Sequence, residues 1–213
     1  MLEVNNLQFS YKNNEVLKGV KFDVRLNQIV GICGTTSSGK SSIFETILNF
    51  KDFSNGTIIF ENRKVAYNIK SQINSLRKKI GYVTQNDYLL TYGTVLDTFK
   101  WTCKTSKDKI IELASLTGIT DILYSNIQNI SNIEKMKLKL AISLIDSPEI
   151  LFVDEPLTSL KIGDEVDNFL NLIEDVSKSK NMGVIISSQN IQGLKKDRFH
   201  KIYLLENGVL NEV

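Results

Sequence analysis

Residues 29–48 read IVGICGTTSSGKSSIFETIL. Ile29–Cys33 is a short run of Ile, Val and Cys, the composition of a buried strand. Gly34-Thr35-Thr36-Ser37-Ser38-Gly39-Lys40-Ser41 fits the pattern G-x-x-x-x-G-K-[ST], and Ser42 to Leu48 then places Ile43, Phe44, Ile47 and Leu48 at helical spacing. A phosphate-binding loop needs that setting, between a strand and a helix. Its backbone N–H groups converge at a helix N-terminus, where the helix dipole favours negative charge. Small residues in the loop let a triphosphate approach, Lys40 would pair with the β- and γ-phosphates, and the Ser41 hydroxyl would take a magnesium position.

A second stretch answers the first. Ile150-Leu151-Phe152-Val153 is a strongly apolar strand that ends in Asp154-Glu155-Pro156. Beside a phosphate loop, Asp154 is expected to reach the metal shell and Glu155 to activate water as a general base. Adjacent strand residues point to opposite faces, so the two carboxylates can serve different ends only if the strand stops there.

Composition narrows the field. The chain has 213 residues, room for one α/β domain with a sizeable core and a small subdomain. With 26 basic against 24 acidic residues it lacks the electrostatic footprint of a nucleic-acid binder. The apolar runs fall far short of the ~20 residues that span a bilayer. Cys33 and Cys103 have neither metal nor redox spacing and read as reduced, buried thiols of an intracellular protein.

Along the chain, Leu2–Tyr11 and Val16–Leu26 alternate as half-exposed strands, which predicts an antiparallel layer over residues 1–26. Tyr11 ends the first strand and is either a stacking platform for an adenine or a plain strand-end tyrosine. Gly56–Phe60 and Ile80–Thr84 are further strands, with a short helix or turn between them at Ser71–Lys79. Gln85 then stands at the C-terminal end of a core strand, where α/β sheets bind ligands; it either holds magnesium or the attacking water, or lies on a surface loop. Residues 88–146 switch to helical spacing (Val95, Phe99, Ile110, Leu113, Met136, Leu140) and predict a helical insertion. Within it, Tyr88–Tyr92 is either a docking surface or packing under the helices, and Lys135, Lys137 and Lys139 read as a solvated face. Val166–Val176 is an amphipathic helix and Gly183–Ser187 a core strand leading to Gln189. A hairpin closes the chain about Glu206-Asn207-Gly208. His200, the single histidine, reads as solvent-facing.

Taken together the chain resembles the nucleotide-binding domain of the ATP-binding cassette (ABC) transporter family over nearly its whole length. The carriers are Tyr11, the Walker A loop 34–41, the Q-loop glutamine Gln85, an exporter-like Gly93-Thr94-Val95, and Walker B at Asp154-Glu155-Pro156. The resemblance implies an α/β P-loop NTPase fold, with a core sheet and antiparallel β layer (1–87 and 147–213) and a helical subdomain (88–146). It implies ATP and Mg²⁺ as ligands, with Tyr11 and residues Gly34, Thr35, Thr36, Ser37, Ser38, Gly39, Lys40, Ser41 and Ser42 on the nucleotide. Ser41, Gln85 and Asp154 would hold the metal, and Glu155, Gln85 and Gln189 would be catalytic. It further implies head-to-tail pairing with a second nucleotide-binding domain, a transmembrane partner, and a place at the cytoplasmic face of a membrane. Because Met1 opens the cassette directly, the chain reads as a free-standing subunit or an excised domain.

Four positions depart from the family pattern. The signature L-S-G-G-Q aligns with Ile130-Ser131-Asn132-Ile133-Glu134, keeping the serine and losing both glycines and the glutamine. The switch histidine falls at Gln189, which cannot carry a proton. The D-loop S-A-L-D reads Thr158-Ser159-Leu160-Lys161. Ser37 stands where Walker A usually has glycine, a mild change at negative φ and a strained one at positive φ. The expected function is therefore an ABC transporter ATPase impaired in the signature it lends to a different, intact partner cassette. The alternatives are an ATP-binding regulatory partner that scarcely hydrolyses, and a soluble cassette acting on nucleic acid.

Overall fold

A computed structural model describes residues 1–85, 88–160, 163–189 and 196–213, with the side chain of Ser159 excepted. Lys161 of the D-loop, Asn190 after the switch position and Lys195 of the basic turn lie outside the described residues. The elements are β1 (Leu2–Tyr11), β2 (Asn14–Val24), β3 (Ile29–Cys33), α1 (Lys40–Ile47), β4 (Asn55–Phe60), β5 (Arg63–Lys64), α2 (Lys70–Lys79) and β6 (Ile80–Val83). They continue with α3 (Val95–Thr102), α4 (Lys107–Thr117), α5 (Asn132–Ser143), β7 (Ile150–Val153), α6 (Asp164–Lys180), β8 (Gly183–Ser188), β9 (Lys201–Glu206) and β10 (Val209–Glu212).

Two sheets form. One has the order β10-β9-β3-β8-β7-β6, parallel except for β10 at its edge. The other is antiparallel, in the order β2-β1-β4-β5. The fold is the expected α/β P-loop type, but the antiparallel layer runs beyond residues 1–26 to Lys64. The added strand β4 joins β1 through long-range pairs such as Leu2 with Phe60, a register that no local pattern announces.

The central strands are buried on both faces, and their alternation sorts residues between two cores. Val30, Ile32, Ile150, Phe152 and Ile185 face α1 and the antiparallel layer, in one cluster with Ile43, Phe44 and Ile47. Ile29, Leu151, Val153, Val184 and Ile186 face the helices, in a second cluster with Phe99, Leu113, Leu140 and Phe169. Phe44 of α1 stacks on Phe152 of β7 with centroids 4.7 Å apart. That contact holds the helix behind the phosphate loop against the strand that ends in the two carboxylates.

The far end of α1 is closed by two side chains. The Arg77 guanidinium donates to Leu48 O at 2.8 Å and Asn49 O at 2.9 Å, and the Tyr67 hydroxyl to Ile47 O at 2.6 Å. A cation is favoured at a helix C-terminus and satisfies carbonyls that the helix leaves orphaned. Replacing Arg77 by alanine is expected to lower stability by about 1–3 kcal/mol, read as an earlier urea midpoint with an unchanged slope.

One expectation about the surface changes. Lys139 does not sit on a solvated face: it is buried, 5% exposed, with its ammonium 5.8 Å from the Tyr88 ring centre. Helix α5 buries Met136, Leu138, Leu140 and Ala141 as well, so little of its middle remains for solvent. His200 is exposed as expected, yet its Nδ1 accepts the Ile29 N–H at 3.1 Å and so ties down the start of β3. In 88–92, Leu89 packs against the helical core while Tyr92 stays 73% exposed, so the segment divides between the two readings.

Candidate nucleotide site

The phosphate loop leaves β3 at Gly34, where a Cβ would lie 2.6 Å from Ser38 Oγ and 2.7 Å from Leu205 O. Only glycine fits there. Gly39, at φ 108°, is the N-cap of α1, and the first intrahelical bond runs from Ile43 N to Gly39 O. The N–H groups of Lys40, Ser41 and Ser42 therefore open onto the helix end, as an anion site requires. Ser37 has φ 63°, so the serine is the strained case. A left-handed residue other than glycine costs about 1–2 kcal/mol. Ser37→Gly is expected to stabilise the chain by roughly 0.5–1 kcal/mol once glycine's extra unfolded-state freedom is subtracted, measured by urea denaturation.

Lys40 is buried at 3% exposure. Its ammonium donates to Gly34 O at 2.7 Å, Thr35 O at 2.8 Å and Ser38 Oγ at 3.4 Å. It also lies 3.1 Å from Glu155 Oε1.

Strand β7 stops at Val153, and Glu155 adopts left-handed backbone at φ 47° before Pro156 starts a 3₁₀ turn. The two carboxylates are thereby split. Asp154 accepts the Ser187 hydroxyl at 2.6 Å, the Tyr82 hydroxyl at 3.2 Å and the Ser41 hydroxyl. Burial raises its pKa, and those three donors pull against the rise. Glu155 turns the other way: Oε2 accepts the Gln189 amide at 2.5 Å and lies 3.5 Å from the Gln85 amide. Gln85, Asp154, Glu155 and Gln189 come from the ends of three neighbouring parallel strands, β6, β7 and β8.

Lys40, Ser41, Gln85, Asp154, Glu155 and Gln189 thus meet in one place, at the carboxyl ends of the strands, where open α/β sheets take ligands. The family whose model matches residues 17–158 is described as ABC transporter. The chain belongs to the ABC transporter family. A relative of this ABC chain, the methionine import ATP-binding protein MetN of Clostridioides difficile, is 26% identical over 100% of this chain and 68% of its own. An ABC transporter ATP-binding protein of Methanocaldococcus jannaschii is 29% identical over 99% of this chain and 84% of its own. Among solved structures, a dimeric ATP-binding cassette bound to ADP and Pi superposes with TM-score 0.83 at 20% identity, covering 100% of this chain and 98% of that one. That likeness speaks to the ABC fold alone.

Tyr11 stands outside the cluster. It is 59% exposed, sits edge-on to Phe9, and has the Lys51 ammonium 5.4 Å from its ring centre. Ser187 and Tyr82, which touch Asp154, were not candidates from the sequence. The signal for Ser187 was a pair of serines, Ser187 and Ser188, that directly follows the apolar residues Val184–Ile186 while still inside a core strand. The signature position has its own closure. Ser131 caps α5, and the Glu134 carboxylate takes both the Ser131 N–H at 2.7 Å and the Ser131 hydroxyl at 2.6 Å. Those bonds hold the Glu134 pKa below the ordinary carboxylate range.

No group of three or more His, Cys, Asp or Glu able to hold a metal occurs among the described residues, and none of the described helices is long and apolar enough to cross a membrane.

Proposed function

We propose that this chain is the ATP-binding subunit or domain of an ABC transporter and that it hydrolyses Mg-ATP on behalf of a membrane-embedded partner. The observation that carries this is the convergence of Lys40 and Ser41 with Asp154 and Glu155 at the P-loop. The donor set suits magnesium: one hydroxyl and one carboxylate, hard oxygens too few for a closed protein cage, as expected when phosphates and waters complete the shell. Ser41 and Asp154 would hold the ion, which when bound neutralises charge on the phosphates.

The remaining work belongs to side chains. Lys40 exchanges Glu155 for phosphate oxygens. Glu155, released from that ion pair, can accept a proton from water. Gln189 and Gln85 hold its second oxygen and orient it. Gln189 donates a hydrogen bond without carrying a proton, so proton release from this site runs through Glu155.

The chain is further proposed to be the impaired half of a cassette pair. A partner's γ-phosphate would approach the N-terminus of α5, where the family's glycines permit close backbone contact. Here Ile133 adds a β-branched side chain, and the Glu134 carboxylate already occupies the capping N–H and hydroxyl. A negative charge fixed there repels a triphosphate. The experiment is the ATPase rate of the isolated chain beside Glu155→Gln. Slow turnover by the lone wild-type chain is expected. Robust turnover that Glu155→Gln abolishes would contradict the impaired-signature proposal.

A further inference from the structure

Asp154 is held by residues that touch neither nucleotide nor water in the proposed reaction. Ser187 lies in β8, between β3 and β7, and is 0% exposed. Its hydroxyl accepts the Glu155 N–H at 2.8 Å and donates to Asp154 Oδ1 at 2.6 Å. The backbone N–H can only donate, so it takes a lone pair of the hydroxyl and leaves the proton for the carboxylate. Tyr82, half-buried on β6 against Phe44 and Phe152, donates to the other oxygen, Oδ2, at 3.2 Å. A carboxylate only accepts, so the phenol hydroxyl is the donor of this pair.

We infer that Ser187 and Tyr82 are positioning residues for the metal site: together they fix the Asp154 carboxylate at both oxygens, and Ser187 alone ties that carboxylate to the backbone of Glu155. This deepens the Mg-ATP assignment and rests on it. A carboxylate held at both oxygens cannot swing about its Cβ–Cγ bond, so its orientation is set before a metal arrives. The third donor, the Ser41 hydroxyl, comes from the P-loop and would change partner on metal binding; Ser187 and Tyr82 need not move. Ser187 also pins the N–H of a residue whose φ is 47°. One buried hydroxyl thereby sets the metal ligand and the base relative to each other.

The test is a calorimetric titration of the full chain with ATP, once in EDTA and once in magnesium, on wild type, Ser187→Ala, Ser187→Thr and Tyr82→Phe. Manganese binding in the presence of ATP, followed by electron paramagnetic resonance, gives an independent metal affinity. Ser187→Ala is expected to lose about tenfold or more of the metal-dependent gain in ATP affinity, with the metal-free affinity unchanged within error. Ser187→Thr, which keeps the hydroxyl, restores the gain, and Tyr82→Phe loses a smaller part because its bond is longer. If Ser187→Ala does not fold, Tyr82→Phe decides, since it keeps the ring in place. Equal losses with and without metal, or an undiminished gain in both hydroxyl-deleting variants, overturn the positioning role alone. A wild-type chain with ATP affinity but no metal-dependent gain overturns the magnesium assignment beneath it.

Discussion

Lys40→Ala is expected to lower ATP affinity by about a hundredfold or more, and to destabilise the ligand-free chain as well. Both effects follow from one ammonium with two sets of partners. Without nucleotide, Lys40 neutralises Glu155 at 3.1 Å while donating to Gly34 O and Thr35 O. Both side chains are almost wholly buried. Removing one member of a buried pair leaves the other charge uncompensated, at a cost of about 3–5 kcal/mol. In binding, the loss falls on the charge-assisted bonds to phosphate, and the Glu155 carboxylate, now unpaired, faces the triphosphate and repels it. The double variant Lys40→Ala with Glu155→Gln should therefore recover part of both losses, because the repelling charge is gone. Glu155→Gln alone should cost less stability than Lys40→Ala, since the lysine keeps its carbonyl acceptors. Equilibrium unfolding and calorimetric ATP titration of the four proteins measure the coupling. Strictly additive losses would mean that the 3.1 Å pair has no energetic meaning.

Repair of the signature is expected to raise the ATPase rate of the lone chain by about tenfold to a hundredfold, the scale of one charge-assisted hydrogen bond of about 1.5–3 kcal/mol. The repaired variant combines Asn132→Gly, Ile133→Gly and Glu134→Gln. It clears the β-branched side chain and the anion from the start of α5. It also weakens the helix. Glycine costs up to about 1 kcal/mol at each position in a helix interior, and the capping box that joins Ser131 to Glu134 becomes a neutral one. Higher turnover in a less stable protein would thus be informative, because a nonspecific loss of structure cannot raise a rate. Adding Glu155→Gln should return the repaired chain to background. A repaired chain no faster than wild type, with its fold intact, would place the limit elsewhere, at Gln189 or at the D-loop.

The sequence was legible where the signal is local. Ile29–Leu48 announces strand, loop and helix in one reading, because a glycine-rich turn between two apolar runs of different period has few other folds. Ile150–Glu155 is equally plain. The structure adds what local pattern cannot carry. Whether Ser37 is strained depends on one backbone angle, 63°, which serine does not disclose. Strand β4 joins β1 across more than fifty residues of chain. Lys139 looks exposed because it alternates with other lysines, yet α5 is packed around most of its circumference. Ser187 and Tyr82 matter through hydrogen bonds between three strands, β6, β7 and β8, and such contacts leave no spacing to read. The meeting of Lys40 with Glu155 likewise joins residues 115 positions apart, and only the sheet order β3-β8-β7 brings them together.

The most direct measurement is a crystal structure of the chain with magnesium and a non-hydrolysable ATP analogue. One nucleotide is predicted across the P-loop, with the Lys40 ammonium moved from Glu155 onto phosphate oxygens and the metal between Ser41 and Asp154. A nucleotide bound elsewhere, with Lys40 still paired to Glu155, would contradict the account.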